Sequence, residues 1–336
     1  MKIQTMILPS IPRPYSRPGP SVSPNLQGRA GALPSRFRRQ RVLIVGCGDV
    51  GLRVKAALPP RVRVLALTSS PERVQALRER GITPLQGNLD AAPSLRRLAG
   101  LGTRVLHLAP PPTEGLADVR RDPRSRALCQ ALSRRGLPQA LVYGSTSGVY
   151  GDCGGARIDE TRPVRAATPR GQRRVDAEQQ LRLFGRRSGT AVHILRIPGI
   201  YAPDREGGTP RGRLLKGTPV LRPEDDVYTN HVHADDLARA CLAALWRGKP
   251  QRVTHASDDT ELKMGDYFDL AAQLYGLPLP PRLARAEALQ VLPPMQLSFM
   301  GESRRLDNAR LKRELRLRLR FPTVREGLLS QAIDGM

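Results

Sequence analysis

The chain has 336 residues, 40% of them apolar, and carries 55 Lys and Arg against 30 Asp and Glu, a formal charge of +25. That length suits roughly two domains with ample core, and the apolar share excludes a largely disordered chain. No run approaches the ~18 uncharged apolar residues of a membrane span. Four scattered cysteines (Cys47, Cys129, Cys153, Cys241) form no CxxC pair, which argues against a disulfide scaffold or a metal site and fits the reducing cytoplasm.

A charge of this size attracts polyanions. The basic residues, nearly all Arg, are nevertheless spread along the whole chain, and aromatics at 4% are too few to interleave with them as stacking platforms. Arg-biased codon usage accounts for this better than a nucleic-acid-binding role, which stays as a second alternative function.

Residues 1–40 contain no Asp or Glu and are rich in Pro, Ser, Gly and Arg. They read as a disordered basic tail. The same composition also suits a transit peptide, or a start codon placed too far upstream. From Arg41 strand and helix alternate. Arg41–Val45 (RVLIV) is a buried strand and Leu52–Leu58 the start of a helix, stopped by Pro59 and Pro60. Arg61–Leu67 is a second strand, and a helix opens at Ser70 with Pro71 in its first turn. Ile82–Leu85, Thr103–Leu108, Gln139–Tyr143 and Ala191–Ile197 continue the strands, with helices near Arg124–Arg135 and Gln172–Arg187. This rhythm predicts an α/β fold, a doubly wound parallel sheet of the Rossmann type over 41–201. Residues 202–336 predict a smaller, irregular substrate domain, parts of which return to the sheet, with a helix at Ala234–Trp246 and a strand at Arg252–His255.

Three stretches carry chemistry. The first is VLIVGCGDVG, which places Gly46, Cys47, Gly48, Asp49, Val50 and Gly51 between a strand and a helix. Gly46 makes the turn, Gly48 admits a pyrophosphate to the backbone, and Gly51 lets the helix pack close, while the helix N-terminus offers free N–H groups. A lone GxGxxG is weak, but this strand–turn–helix setting is its confirming context. The second stretch ends strand two. A carboxylate there would bind the ribose 2′-OH of NAD. Thr68, Ser69 and Arg73 stand there instead and suit a 2′-phosphate, so NADP is expected in preference to NAD, with Ser70 capping the helix. The third is LVYGSTSGVYGD, where Ser145, Thr146, Ser147 and Tyr150 follow a strand end and are expected to face the site.

On these residues, together with VLHLAPPP, ILRIPGIYAP, HVHADDLA and RRLDNARLKREL, the chain resembles the extended short-chain dehydrogenases/reductases, and within them an atypical bacterial group of NAD(P)-binding epimerases and dehydratases. The resemblance spans 41–330. It implies cofactor contacts from Asn88, from Leu108, Ala109 and Pro110, and from Pro198. It also implies a nucleotide-linked or phosphorylated sugar as substrate, with Arg205, Arg211, Arg213 and Lys216 near its phosphates, and is compatible with a homodimer. Thr146 matches the family's catalytic hydroxyl. The family's Tyr-x-x-x-Lys, about 24 residues on, falls at Arg170 and Arg174. Arginine stays protonated at any working pH, so Arg170 is no general base. It can hold an anion, and Arg174 can keep the cofactor-ribose contact. Proton transfer then passes to Tyr150 or, second, Tyr201. His231 and His233 read as a structural pair, and Asp235 and Asp236 as helix caps. The expected activity is hydride transfer on a hydroxyl or carbonyl. The alternative is a catalytically impaired NADP(H)-binding sensor or interaction protein.

Overall fold

The computed structural model describes residues 40–114 and 118–330. The expected tail, except Gln40, lies outside the described residues. Strands β1 (Arg41–Val45), β2 (Arg63–Thr68), β3 (Thr83–Gln86), β4 (Arg104–His107), β5 (Ala140–Thr146), β6 (Ala191–Ile197) and β7 (Arg252–His255) form one seven-stranded sheet in the order β7-β6-β5-β4-β1-β2-β3. Every pairing in it is parallel. The chain winds outward from β1 through β3, then crosses back to lay β4 on the other side of β1. The strand order reverses there, so a crevice opens beyond the carboxyl ends of β1 and β4.

The strands are apolar on both faces because both faces are covered. On one side pack α1 (Asp49–Ala56), α2 (Arg73–Glu79) and α5 (Ala234–Arg247), through Val54, Leu77 and Leu237. On the other pack α3 (Pro123–Leu132), α4 (Pro169–Ser188) and a 3-10 turn at Ala92–Leu98, through Leu128, Leu181 and Leu95. Capping chemistry sets several helix starts. Asp122 accepts from the Arg124 and Ser125 N–H groups, and Thr168 accepts from that of Gly171, each with Pro in the first turn. Gly189 ends α4 with φ at 74°.

One expected helix start and one expected cap differ. α2 begins at Arg73, not Ser70, because the Thr68 hydroxyl accepts the Ser70 N–H and the chain turns through Pro71 and Glu72 first. α5 is capped by His233, whose Nδ1 accepts the Asp235 N–H. Asp235 and Asp236 are spent elsewhere: Asp235 pairs with Arg53, and Asp236 accepts from the Arg320 and Phe321 N–H groups. Beyond Ile197 a separate core gathers Tyr201, Leu214, Tyr267, Phe268, Val324 and Leu328. Arg53 of α1 reaches Asp204 at 2.7 Å and Asp235 at 2.5 Å, fastening the segment after Tyr201 to the first helix. Among the described residues no helix is long and apolar enough to cross a membrane.

Leu237 of α5 is 0% exposed. Leu237→Ala should lower unfolding free energy by about 2–5 kcal/mol, read as a shift of the urea midpoint. A loss under about 0.5 kcal/mol would mean that α5 does not carry this face of the core.

Candidate functional site

The turn after β1 is built for close approach. Gly46 has φ +89°, and a Cβ there would lie 2.4 Å from the Ala109 backbone N, so only glycine lets β1 and β4 exit side by side. Leu108 and Ala109 donate to the Val45 carbonyl at 2.7 and 3.0 Å. Around a Cβ on Gly48, by contrast, nothing lies within 4 Å. Gly48 is the N-cap of α1 and no side chain caps that end, so its first N–H groups face open space. Gly51 sits against Ile44 and Cys47, where a Cβ would come within 3.3 Å of each. The Asp49 carboxylate is drawn aside to Arg53 at 2.9 Å. Burial pushes the Cys47 thiol up to about 11, so it is a protonated filler. This cradle fits the pyrophosphate of a dinucleotide.

At the end of β2, Arg73 folds back and donates to the Cys47 carbonyl at 2.6 Å. Thr68 is buried and its hydroxyl is engaged with Ser70, while Ser69 is exposed. Asn88 is exposed at the foot of the loop after β3, its side chain accepting the Asp90 N–H. The Pro110 carbonyl accepts from Arg124.

Beyond β5 and β6 opens a cleft of about 610 Å³. Thr146, Ser147, Arg170, Pro198, Tyr201 and His231 line it, with Arg205, Arg213, Arg304 and Glu302. A larger hollow of about 750 Å³ lies between the outer faces of α3 and α4, walled by Cys129, Leu183 and Arg187. It receives nothing from the strand ends, so the cleft is the candidate site. His231 pairs in parallel register with Gly199, just after β6. Burial, with Arg213 adding to it, pushes its imidazole down to about 3, and its Nδ1 has no hydrogen-bond partner.

Ser145 and Tyr150 do not reach the cleft. Successive strand residues face opposite sides, so Thr146 lines the cleft while Ser145 points to Glu178, 2.6 Å away. Arg196 stands beside Ser145 in the β5–β6 register and beside His255 in the β6–β7 register. It pairs with Glu178 at 2.8 Å, both side chains 5% exposed, and donates to the Tyr150 hydroxyl at 2.7 Å. His255 Nδ1 faces the Asp307 carbonyl at 2.8 Å and so holds its proton there. Its Nε2 therefore accepts from Tyr150 at 2.5 Å, an assignment made from the network. Burial pushes the Tyr150 phenol up to about 12, and Arg196 offsets this only in part. Tyr150 is thus placed in the floor of the site, away from any proton exchange with a ligand. Tyr201 lines the cleft with its ring, but its hydroxyl donates to the Thr323 carbonyl. Arg174 donates to the Tyr143 hydroxyl at 3.0 Å and the Gly144 carbonyl at 2.7 Å.

Sequence reasoning did not single out Tyr228, Tyr267, Glu302 or Arg304, all of which line the cleft. Arg304 opens the RRLDNARLKREL stretch but had no role assigned there, and the other three come from segments with no motif. His231 was in view, but only as half of an HxH pair. Arg211 and Lys216 are exposed and do not contribute to the wall, unlike Arg205 and Arg213.

Two outcomes follow from the burial. Glu178→Gln leaves Arg196 buried without its counter-charge and should cost about 3–5 kcal/mol, measured by denaturant unfolding. All five histidines are held below the ordinary 6.5, His193 and His255 at about 4 and His107 and His231 at about 3, chiefly by burial. They are neutral when folded and protonate when released, so the unfolded chain binds more protons below pH 6.5. Their stabilisation is therefore complete above that pH and is lost as pH falls towards 4, by at least about 1.4 kcal/mol per unit. Urea midpoints at pH 7.5, 6.0 and 5.0 check this; a level series would contradict the burial.

Comparison with known proteins agrees with this geometry. The model of the NAD dependent epimerase/dehydratase family matches residues 42–255. A solved structure of a functionally unknown conserved protein from Silicibacter pomeroyi is 32% identical, covers 88% of this chain and 99% of its own, and superposes with a TM-score of 0.73. Protein YeeZ of Escherichia coli K12 is 24% identical over 289 residues, 84% of this chain and 97% of that protein. A Methanocaldococcus jannaschii relative, 26% identical over 140 residues, is spanned over only 45% of its length. UDP-glucuronic acid 4-epimerase from Bacillus cereus, solved with NAD, shares the fold at 18% identity, 86% and 96% coverage and a TM-score of 0.68. With well over half of its length matched by one family model and its cradle and cleft at one edge of the sheet, the chain belongs to the NAD dependent epimerase/dehydratase family.

Proposed function

We propose that this protein is an NAD(P)-dependent enzyme that exchanges hydride with a hydroxyl or carbonyl of a nucleotide-linked or phosphorylated sugar. One observation carries the reading: the uncapped, side-chain-free mouth of α1 and the cleft beside Thr146 open at the same carboxyl edge of one parallel sheet. The UDP-sugar named for the Bacillus cereus enzyme supports the substrate class.

The dinucleotide would lie along Gly46–Gly51, with Thr68, Ser69, Arg73 and Asn88 at its adenosine end. Leu108, Ala109 and Pro110 would flank its middle and Pro198 its nicotinamide end. When bound, it supplies the hydride acceptor and donor. The rest falls to the chain. Thr146 and Ser147 orient the reacting oxygen, Arg170 holds negative charge, and Arg174 stiffens the end of β5 through Tyr143 and Gly144. A proton acceptor is needed. His231, at the cleft wall, offers a ligand a neutral imidazole, but burial holds it down to about 3 and makes it a weak base.

The absence of a carboxylate at the end of β2, with Arg73 laid against the glycine turn, supports NADP over NAD. Calorimetric titration should show NADP⁺ binding more tightly, and Arg73→Ala should weaken NADP⁺ about tenfold or more while sparing NAD⁺. Preference for NAD⁺ would remove the 2′-phosphate argument. A second reading, a cofactor-binding protein without turnover, draws on the arginines at 170 and 174 and on the engaged Tyr150. NADPH oxidation with turnover by any carbonyl sugar excludes it.

A further inference from the structure

The glycine cradle and the cleft share one side chain. The segment after Tyr201 turns tightly. The Arg205 N–H donates to the Ala202 carbonyl, the Gly208 N–H donates to that of Arg205, and a Cβ on Gly208 would lie 2.5 Å from the Ala202 oxygen. Arg53 holds this turn against α1. Its Nη2 donates to Asp204 at 2.7 Å, its Nη1 to Asp235 at 2.5 Å and its Nε to Asp49 at 2.9 Å, so all three nitrogens are committed to carboxylates. Arg205, next in the chain after Asp204, lines the cleft, and its Nη1 lies 3.8 Å from Asp49 Oδ2. That is too far for a hydrogen bond, and both atoms are buried without a hydrogen-bond partner.

Asp49 is the first residue of α1, one past Gly48. A carboxylate in that turn suits the helix, but it repels a second anion arriving at the same N-terminus. Three carboxylates, on Asp49, Asp204 and Asp235, share the two guanidiniums of Arg53 and Arg205. The cluster is therefore already short of positive charge, and a pyrophosphate at the mouth of α1 adds further negative charge. Arg53 has each nitrogen engaged, whereas Arg205 holds Asp49 only loosely. We infer that Arg205 serves the pyrophosphate of the dinucleotide, offsetting Asp49 there, and does not serve the phosphates of a substrate, where the family resemblance would put it. The turn at 202–208 is then a wall common to cofactor and cleft. This inference rests on the dinucleotide reading of the cradle given above.

The test titrates the full chain with NAD⁺ and NADP⁺ by calorimetry. Both carry the pyrophosphate, so Arg205→Gln should weaken both by the same factor, about tenfold or more. Arg73→Ala, by contrast, should touch NADP⁺ alone. Arg205→Lys keeps the charge and should keep much of the affinity. The loss in Arg205→Gln should shrink in high salt, which a merely structural role would not produce. Asp49→Asn leaves Arg205 in place and should tighten both dinucleotides, since the repulsion goes while an amide oxygen can still accept from Arg53. Melting temperatures report whether each variant is folded. Unchanged affinity in Arg205→Gln, a loss confined to NADP⁺, a loss that Arg205→Lys shares in full, or no tightening in Asp49→Asn would overturn the assignment and leave the cofactor reading standing. Binding of neither dinucleotide by the unaltered protein would overturn both.

Discussion

Arg196 stands in one row with Ser145 and His255 across β5, β6 and β7, and Glu178 reaches it from α4. A guanidinium taken out of water costs several kcal/mol unless paired and fully hydrogen-bonded. Here it is paired with Glu178, and each of its three nitrogens donates, Nε and Nη2 to Glu178 and Nη1 to the Tyr150 hydroxyl. The pairing needs three strands in register, the helix seated above them and the turn after β5 closed. Loss of any one would strand a buried charge. The network thereby fixes the floor under Thr146 and the start of α4, where Arg170 is displayed.

The same network explains a division of labour at the end of β5. Strand alternation sends Ser145 down into the ion pair and leaves Thr146 facing the cleft. Tyr150 is drawn into the floor by two partners and cannot serve a ligand without breaking both. Across the cleft, His231 is delivered by the short strand beside Gly199. On the other side of the reversal in strand order, Gly46 lets β4 pass against β1, and the open mouth of α1 faces the same edge. The glycine cradle and the cleft open at one edge because the strand order of a wholly parallel sheet reverses between β1 and β4.

Much of this was legible in residues close together in the chain. RVLIV followed by GCGDVG announces a buried strand, a turn and a helix N-terminus, and all three are present. β6 and β7 run over the very residues whose apolar pattern marked them. Boundaries shifted where side chains took over backbone groups, as at Thr68, or where the cap lay further out, as at Thr168, which starts its helix three residues before Gln172. The role of His233 as a cap was hidden because Asp235 and Asp236 look like better ones. Arg196 gave a faint signal, a lone charge within an otherwise apolar strand, and its partner Glu178 lies on another element.

The sequence by itself determined the layered parallel sheet, the glycine turn that suits a phosphate, and the replacement of a tyrosine and a lysine by Arg170 and Arg174. These depend on periodicity, on residues within one turn of each other and on residue chemistry, which a chain displays directly. Only the tertiary structure decided which hydroxyls face the cleft, that Tyr150 is engaged, and that Glu302 and Arg304 close the wall beside Arg170. Those outcomes depend on which distant segments share one desolvated volume. There a polar group must find its partner or remain unmatched, and no local pattern encodes that choice.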